Sequence, residues 1–108
     1  MERVETERAA PAAFVYILEC RDGTWYTGWT VNLEHRLQAH NNGKGAKYTR
    51  SRLPVRLIYA EEAPDKVSAL KREYAIKHLR RREKERLVCS DWRTKLHGAE
   101  QRGDALED

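Results

Sequence analysis

The chain has 108 residues, 21 Lys and Arg against 17 Asp and Glu, and a formal net charge of +4, which bounds it to one domain with a thin core. Charged residues make up 35% of it, yet apolar positions recur with a period, so a folded domain is expected over a disordered chain. No stretch approaches the roughly eighteen apolar residues of a membrane span, residues 9–13 are too short and wrongly flanked for a signal peptide, and Cys20 and Cys89 form neither a metal-ligand nor a disulfide pattern. The expectation is a cytoplasmic protein with two reduced, space-filling thiols.

Residues 1–13 read as a disordered tail, residues 14–97 as the folded domain and residues 98–108 as a second tail. The domain starts with Phe14-Val15-Tyr16-Ile17-Leu18-Glu19-Cys20, a strand whose two sides are both largely apolar. Arg21-Asp22-Gly23 fits a three-residue hairpin loop with Gly23 at the left-handed position. That loop sets Leu18 opposite Tyr26 and Tyr16 opposite Gly28, so Tyr16 and Tyr26 become diagonal neighbours on one face. A two-residue loop would turn Tyr26 away.

Asn32 can cap a helix on which Leu33, Arg36, Leu37 and His40 share a face, and Asn41-Asn42-Gly43 ends it. Residues 43–52 read as a loop, with Lys44, Lys47, Arg50 and Arg52 around Tyr48. Such a segment can follow a phosphate backbone and stack on a base, or be an ordinary exposed connection. Val55 to Ala60 alternates as a third strand.

Asp65 is the expected N-cap of a second helix, with Val67, Leu70 and Tyr74 as its apolar stripe and Ala69, Glu73 and Ile76 adjoining it. Glu73 therefore falls where the period asks for an apolar residue, and a carboxylate there needs a cation, an Arg or a metal. Residues 79–88 continue as a basic helix after a break near Arg80, anchored by Leu87 and Val88, and Ser90-Asp91 can cap a last turn with Trp92 and Leu96.

Charge is unevenly spread. Residues 32–60 carry six basic groups and one acidic group, and residues 66–97 carry eleven and four. Basic charge concentrated in this way suits a polyanion, because neutralising phosphates releases counterions; a solvated helical surface is the plainer reading.

Phe14-Val15-Tyr16, then Tyr26-Thr27-Gly28, then Arg36 and His40 on a helix, together with Gly43-Lys44-Gly45-Ala46-Lys47 and Ala69-Leu70-Lys71-Arg72-Glu73-Tyr74, resemble the GIY-YIG nuclease superfamily. The likeness is to its small stand-alone, single-domain branch and spans about residues 14–89. Phe14 stands where the first motif carries Gly, and the family's late Asn has no counterpart. The resemblance implies an α/β (α+β) fold, with a small, mainly antiparallel three-stranded sheet flanked by helices.

It also implies metal-dependent endonuclease activity on DNA, in preference to RNA, with Tyr16, Tyr26, Arg36, His40 and Glu73 as the catalytic set and Glu73 holding Mg²⁺ or Mn²⁺. One of the tyrosines would help to activate water, which requires the site to favour phenolate through nearby cations and a metal. Arg36 would brace the phosphate, while His40 would orient a tyrosine or touch phosphate. Lys44, Lys47, Tyr48, Arg50, Arg52 and Lys77 are the candidate nucleic-acid contacts. With no room for a separate recognition domain, low intrinsic sequence specificity is expected, with structure-selective cutting or a recruiting protein as routes to selectivity. The alternatives are a non-catalytic nucleic-acid-binding module on the same fold and an adaptor whose basic helices meet an acidic protein.

Overall fold

The structure is a computed structural model and describes residues 12–96. Nearly all of the two expected tails lies outside the described residues. Strands β1 (Ala13–Glu19), β2 (Trp25–Thr30) and β3 (Arg56–Ala63) form one sheet in the order β2-β1-β3, antiparallel throughout. Helices α1 (Leu33–Asn41), α2 (Lys47–Arg50), α3 (Lys66–Lys77) and α4 (Arg81–Val88) and a 3-10 turn (Trp92–Lys95) complete it. No helix among the described residues is long and apolar enough to cross a membrane.

The central strand is covered on both faces, which is why β1 is apolar on both: Ala13 to Leu18 are all buried. Its hairpin to β2 closes as the loop length dictates. Cys20 N donates to Thr24 O at 2.8 Å, Gly23 N donates to Cys20 O at 2.9 Å, and Gly23 sits at φ 85°. The resulting pairs are Leu18 with Tyr26 and Tyr16 with Gly28.

On the other side of β1, β3 continues three residues past its expected end at Ala60, pairing Glu61 with Val15 and Glu62 with Phe14. Two carboxylates hide this extension in the sequence. Glu61 is tolerated because it accepts from Arg72 Nε at 2.6 Å and from the Tyr59 hydroxyl, tying β3 to α3. A bulge leaves Ile58 unpaired opposite the Ile17/Leu18 step.

Asn32 caps α1 by accepting from His35 N at 3.0 Å, and Asp65 caps α3 by accepting from Ser68 N at 2.7 Å. The expected stripe of α3 is corrected: Val67, Leu70 and Tyr74 are 61%, 48% and 66% exposed, while Ala69 and Ile76 face the core. Small Ala69 lets the helix approach the sheet closely, so the buried face is the less hydrophobic one.

Residues 43–52 are not one loop either, since Lys47 to Arg50 form α2. In α4, Arg80 N donates to Glu83 at 2.9 Å, and Arg81 lies 3.7 Å over the Trp25 ring, holding the helix against β2. Asp91 makes no side-chain cap, and Ser90 donates back to Leu87 O at 2.6 Å. Trp92 and Leu96 are buried, with Trp92 edge-on to Tyr59. Cys20 is a buried free thiol as expected; Cys89 is exposed and fills no space.

Candidate active site

Tyr16 sits in the middle of the central strand, opposite a glycine. An added Cβ at Gly28 would stand 2.6 Å from the Tyr16 hydroxyl and 2.8 Å from Cζ, so the ring lies across β2 where any side chain would block it. The hydroxyl thereby reaches over the edge strand. Tyr26, two residues before Gly28 on the same face, has its ring centroid 6.5 Å from that of Tyr16.

His40, in the last turn of α1, is fully buried and sits edge-on to both phenols, at 6.0 Å from Tyr16 and 5.5 Å from Tyr26. Its Nε2 is 3.0 Å from the Tyr16 hydroxyl and its Nδ1 is 2.8 Å from Thr49 Oγ1. Burial, with Arg36 nearby, lowers its pKa from 6.5 to about 4, so the ring is neutral near pH 7.

Arg36 comes from the same helix, one turn earlier. Burial pushes Tyr16 up to about 12, reinforced by the charges of Tyr26 and Glu73, against an opposing pull from Arg36. Among the protein's own groups, desolvation thus outweighs the pull of Arg36 and favours the neutral phenol.

Glu73 enters from α3, which packs on β1 and β2. Its side chain is 16% exposed, near enough to Tyr16 to act on its ionisation, and paired with Lys77 at 3.3 Å. No group of three or more His, Cys, Asp or Glu side chains among the described residues could hold a metal by itself. A lone half-buried carboxylate suits Mg²⁺ or Mn²⁺, which keep several waters and take further oxygens from phosphate, and does not suit zinc, which wants four protein donors or three.

The five candidate catalytic residues therefore converge around the Tyr16 hydroxyl. The candidate nucleic-acid residues divide. Lys44, Lys47 and Arg50 are exposed, on the segment whose Gly45 and Thr49 touch His40. Arg52 is instead a brace, donating to Asp22 at 3.1 Å and to Tyr48 O at 2.8 Å, with its guanidinium 3.9 Å over the Tyr48 ring. Tyr48 is 39% exposed and stacks on Tyr26 at 6.1 Å, while Lys77 is engaged with Glu73.

Two residues escaped the sequence reading. Thr49 is buried with its hydroxyl on His40, and Gly45 passes so close that a Cβ there would lie 2.3 Å from His40 Nδ1. Thr49 carried no signal while residues 43–52 read as a loop; three-residue spacing from Ala46 in a short helix would have been needed.

A family profile described as GIY-YIG catalytic domain matches residues 12–86. The UPF0213 protein BH0048 of Halalkalibacterium halodurans is 55% identical over 75 residues, 69% of this chain and 80% of the relative. A UPF0213 protein of Natronomonas pharaonis is 50% identical, covering 72% of this chain and 92% of its own. The solution NMR structure of UPF0213 protein BH0048 from Bacillus halodurans is similar at 51% identity and a TM-score of 0.49, over 74% of this chain and 85% of that one. The chain belongs to the GIY-YIG family, among the small UPF0213 proteins.

Proposed function

We propose that this GIY-YIG family member is a divalent-metal-dependent endonuclease that hydrolyses phosphodiester bonds in DNA with low intrinsic sequence specificity. The observation that carries the reading is the meeting, over a side-chain-free position on the edge strand, of a phenol, an imidazole, a guanidinium and a carboxylate from three separate elements.

In the proposed step, an attacking water gives its proton to the Tyr16 oxygen as its own oxygen bonds to phosphorus. The original phenol proton passes to His40 Nε2, 3.0 Å away. The leaving oxygen departs with the electrons of its phosphorus bond and takes a proton from solvent. This concerted relay needs no prior phenolate, which matters because the phenol is held up near 12. Arg36 donates to the phosphoryl oxygens where negative charge grows. Glu73 would hold Mg²⁺ or Mn²⁺, whose role is to supply further positive charge to those oxygens. Exposed Lys44, Lys47 and Arg50 would track the flanking phosphates, and selectivity would come from substrate structure or a recruiting protein.

A non-catalytic nucleic-acid-binding module is the second reading, favoured by the ion pair that already occupies Glu73. Purified protein with Mg²⁺ or Mn²⁺, offered single-stranded, duplex, nicked and branched DNA and the matching RNAs, separates the two. Cleavage is expected, with DNA preferred, and Arg36→Ala or Glu73→Gln should lower it by about 10²–10³-fold with an unchanged circular dichroism spectrum. Salt-dependent binding without cleavage would establish the second reading. Cutting indifferent to metal and to both variants would mean a contaminant.

A further inference from the structure

Thr49 Oγ1 is 2.8 Å from His40 Nδ1 and 3.0 Å from the carbonyl oxygen of Ala46. A carbonyl only accepts, so the Thr49 proton goes to Ala46 and Oγ1 is left to accept from Nδ1–H. Nε2 then carries a lone pair, and the Tyr16 hydroxyl donates to it. Arg36, a donor only, can at the same time give to the phenol oxygen, so every polar atom from Ala46 O to the Tyr16 hydroxyl is paired.

The reversed circuit fails at one atom. If Thr49 donated to Nδ1, Nε2–H would have to donate to Tyr16. The buried phenol proton would then lose His40, the acceptor to which the structure bonds it, a costly arrangement. Gly45 closes the ring on the Nδ1 side, its backbone lying where a Cβ would be 2.3 Å from Nδ1. Thr49 is the side chain hydrogen-bonded to that nitrogen.

We infer that Thr49 is a positioning residue: it fixes His40 in the tautomer protonated on Nδ1, leaving Nε2 to take the Tyr16 proton. The tautomer stands independently of any reaction, whereas its catalytic consequence rests on the endonuclease reading above. A Val in place of Thr49 keeps the shape and loses the acceptor; a Ser keeps the acceptor and loses a methyl.

The test is ¹⁵N NMR of the histidine side chains near neutral pH in the full chain without substrate, with the His40 signals identified by their loss in His40→Gln. The wild type and Thr49→Ser should show a protonated Nδ1 and an unprotonated Nε2, and Thr49→Val should shift the proton to Nε2 or mix the two forms. In the nicking assay Thr49→Val should lower kcat by about ten- to a hundredfold with KM little changed, and Thr49→Ser should restore it. A wild type protonated on Nε2, or a Thr49→Val protein with the wild-type pattern, overturns the inference. Should Thr49→Val not fold, the wild-type spectrum and Thr49→Ser still decide it. A wild type that never cleaves, with the expected tautomer, removes the endonuclease reading alone.

Discussion

Replacing His40 with Gln removes a group that the fold keeps uncharged. His40 is fully buried, and its pKa falls from 6.5 to about 4 through desolvation and then through Arg36. Between those values the unfolded chain binds a proton that the folded chain refuses. Stability from this source is therefore present above about pH 6.5, is lost as pH drops, and levels off below about pH 4. At about 1.36 kcal/mol per pKa unit the loss reaches about 3 kcal/mol at about pH 4, a large part of a small domain's stability. Asp22 and Asp65, lowered mainly by hydrogen bonds from Thr24 and Ser68, lose their contributions further down the scale and are common to both proteins. Urea unfolding of wild type and His40→Gln at several pH values from about 7 to about 4 reads the difference directly. The variant should start less stable, by about 1–3 kcal/mol for the broken pairing with Tyr16 and Thr49, and then change less with pH. Parallel stability curves, or a His40 resonance titrating near 6.5, would refute the reasoning.

Gly28→Ala should cost about 1–3 kcal/mol by overpacking, because Tyr16 is pinned to His40 and has nowhere to swing; denaturation together with loss of the Tyr16 to His40 contact in NMR checks this. On α3, Ile76→Ala should destabilise by about 2–5 kcal/mol, whereas Leu70→Ser should stay within about 0.5 kcal/mol, since Leu70 is 48% exposed and Ile76 is fully buried. Equal effects in urea melts would return the helix to its expected orientation.

Hairpin and site register could be read early because both rest on discrete choices. A three-residue loop with Gly at the left-handed position admits one register, and that register alone puts Tyr16 against Gly28 and beside Tyr26. Helix caps at Asn32 and Asp65 were legible for the same reason, being local side-chain to backbone bonds. What misled were average properties. Hydrophobicity along α3 favoured Val67, Leu70 and Tyr74, but close approach to the sheet rewards small Ala69, and Glu73 on the adjoining positions is held half-buried with Lys77 as its partner. Glu61 and Glu62 argued against a strand until Arg72 and Tyr59 were found on Glu61. The protonation state of Tyr16 depends on how deeply three distant segments bury it, which no local pattern encodes.

Gly28 and Gly45 make the candidate site of this small domain a matter of omitted atoms. Elsewhere in a protein a lost contact can be offered again by a neighbour growing larger, but an atom added at Gly28 strikes the Tyr16 hydroxyl and one added at Gly45 strikes the His40 ring and backbone, so Tyr16 or His40 itself must move. Tolerance is therefore lopsided: around Tyr16 and His40 the two empty places admit no larger residue without displacing one of them.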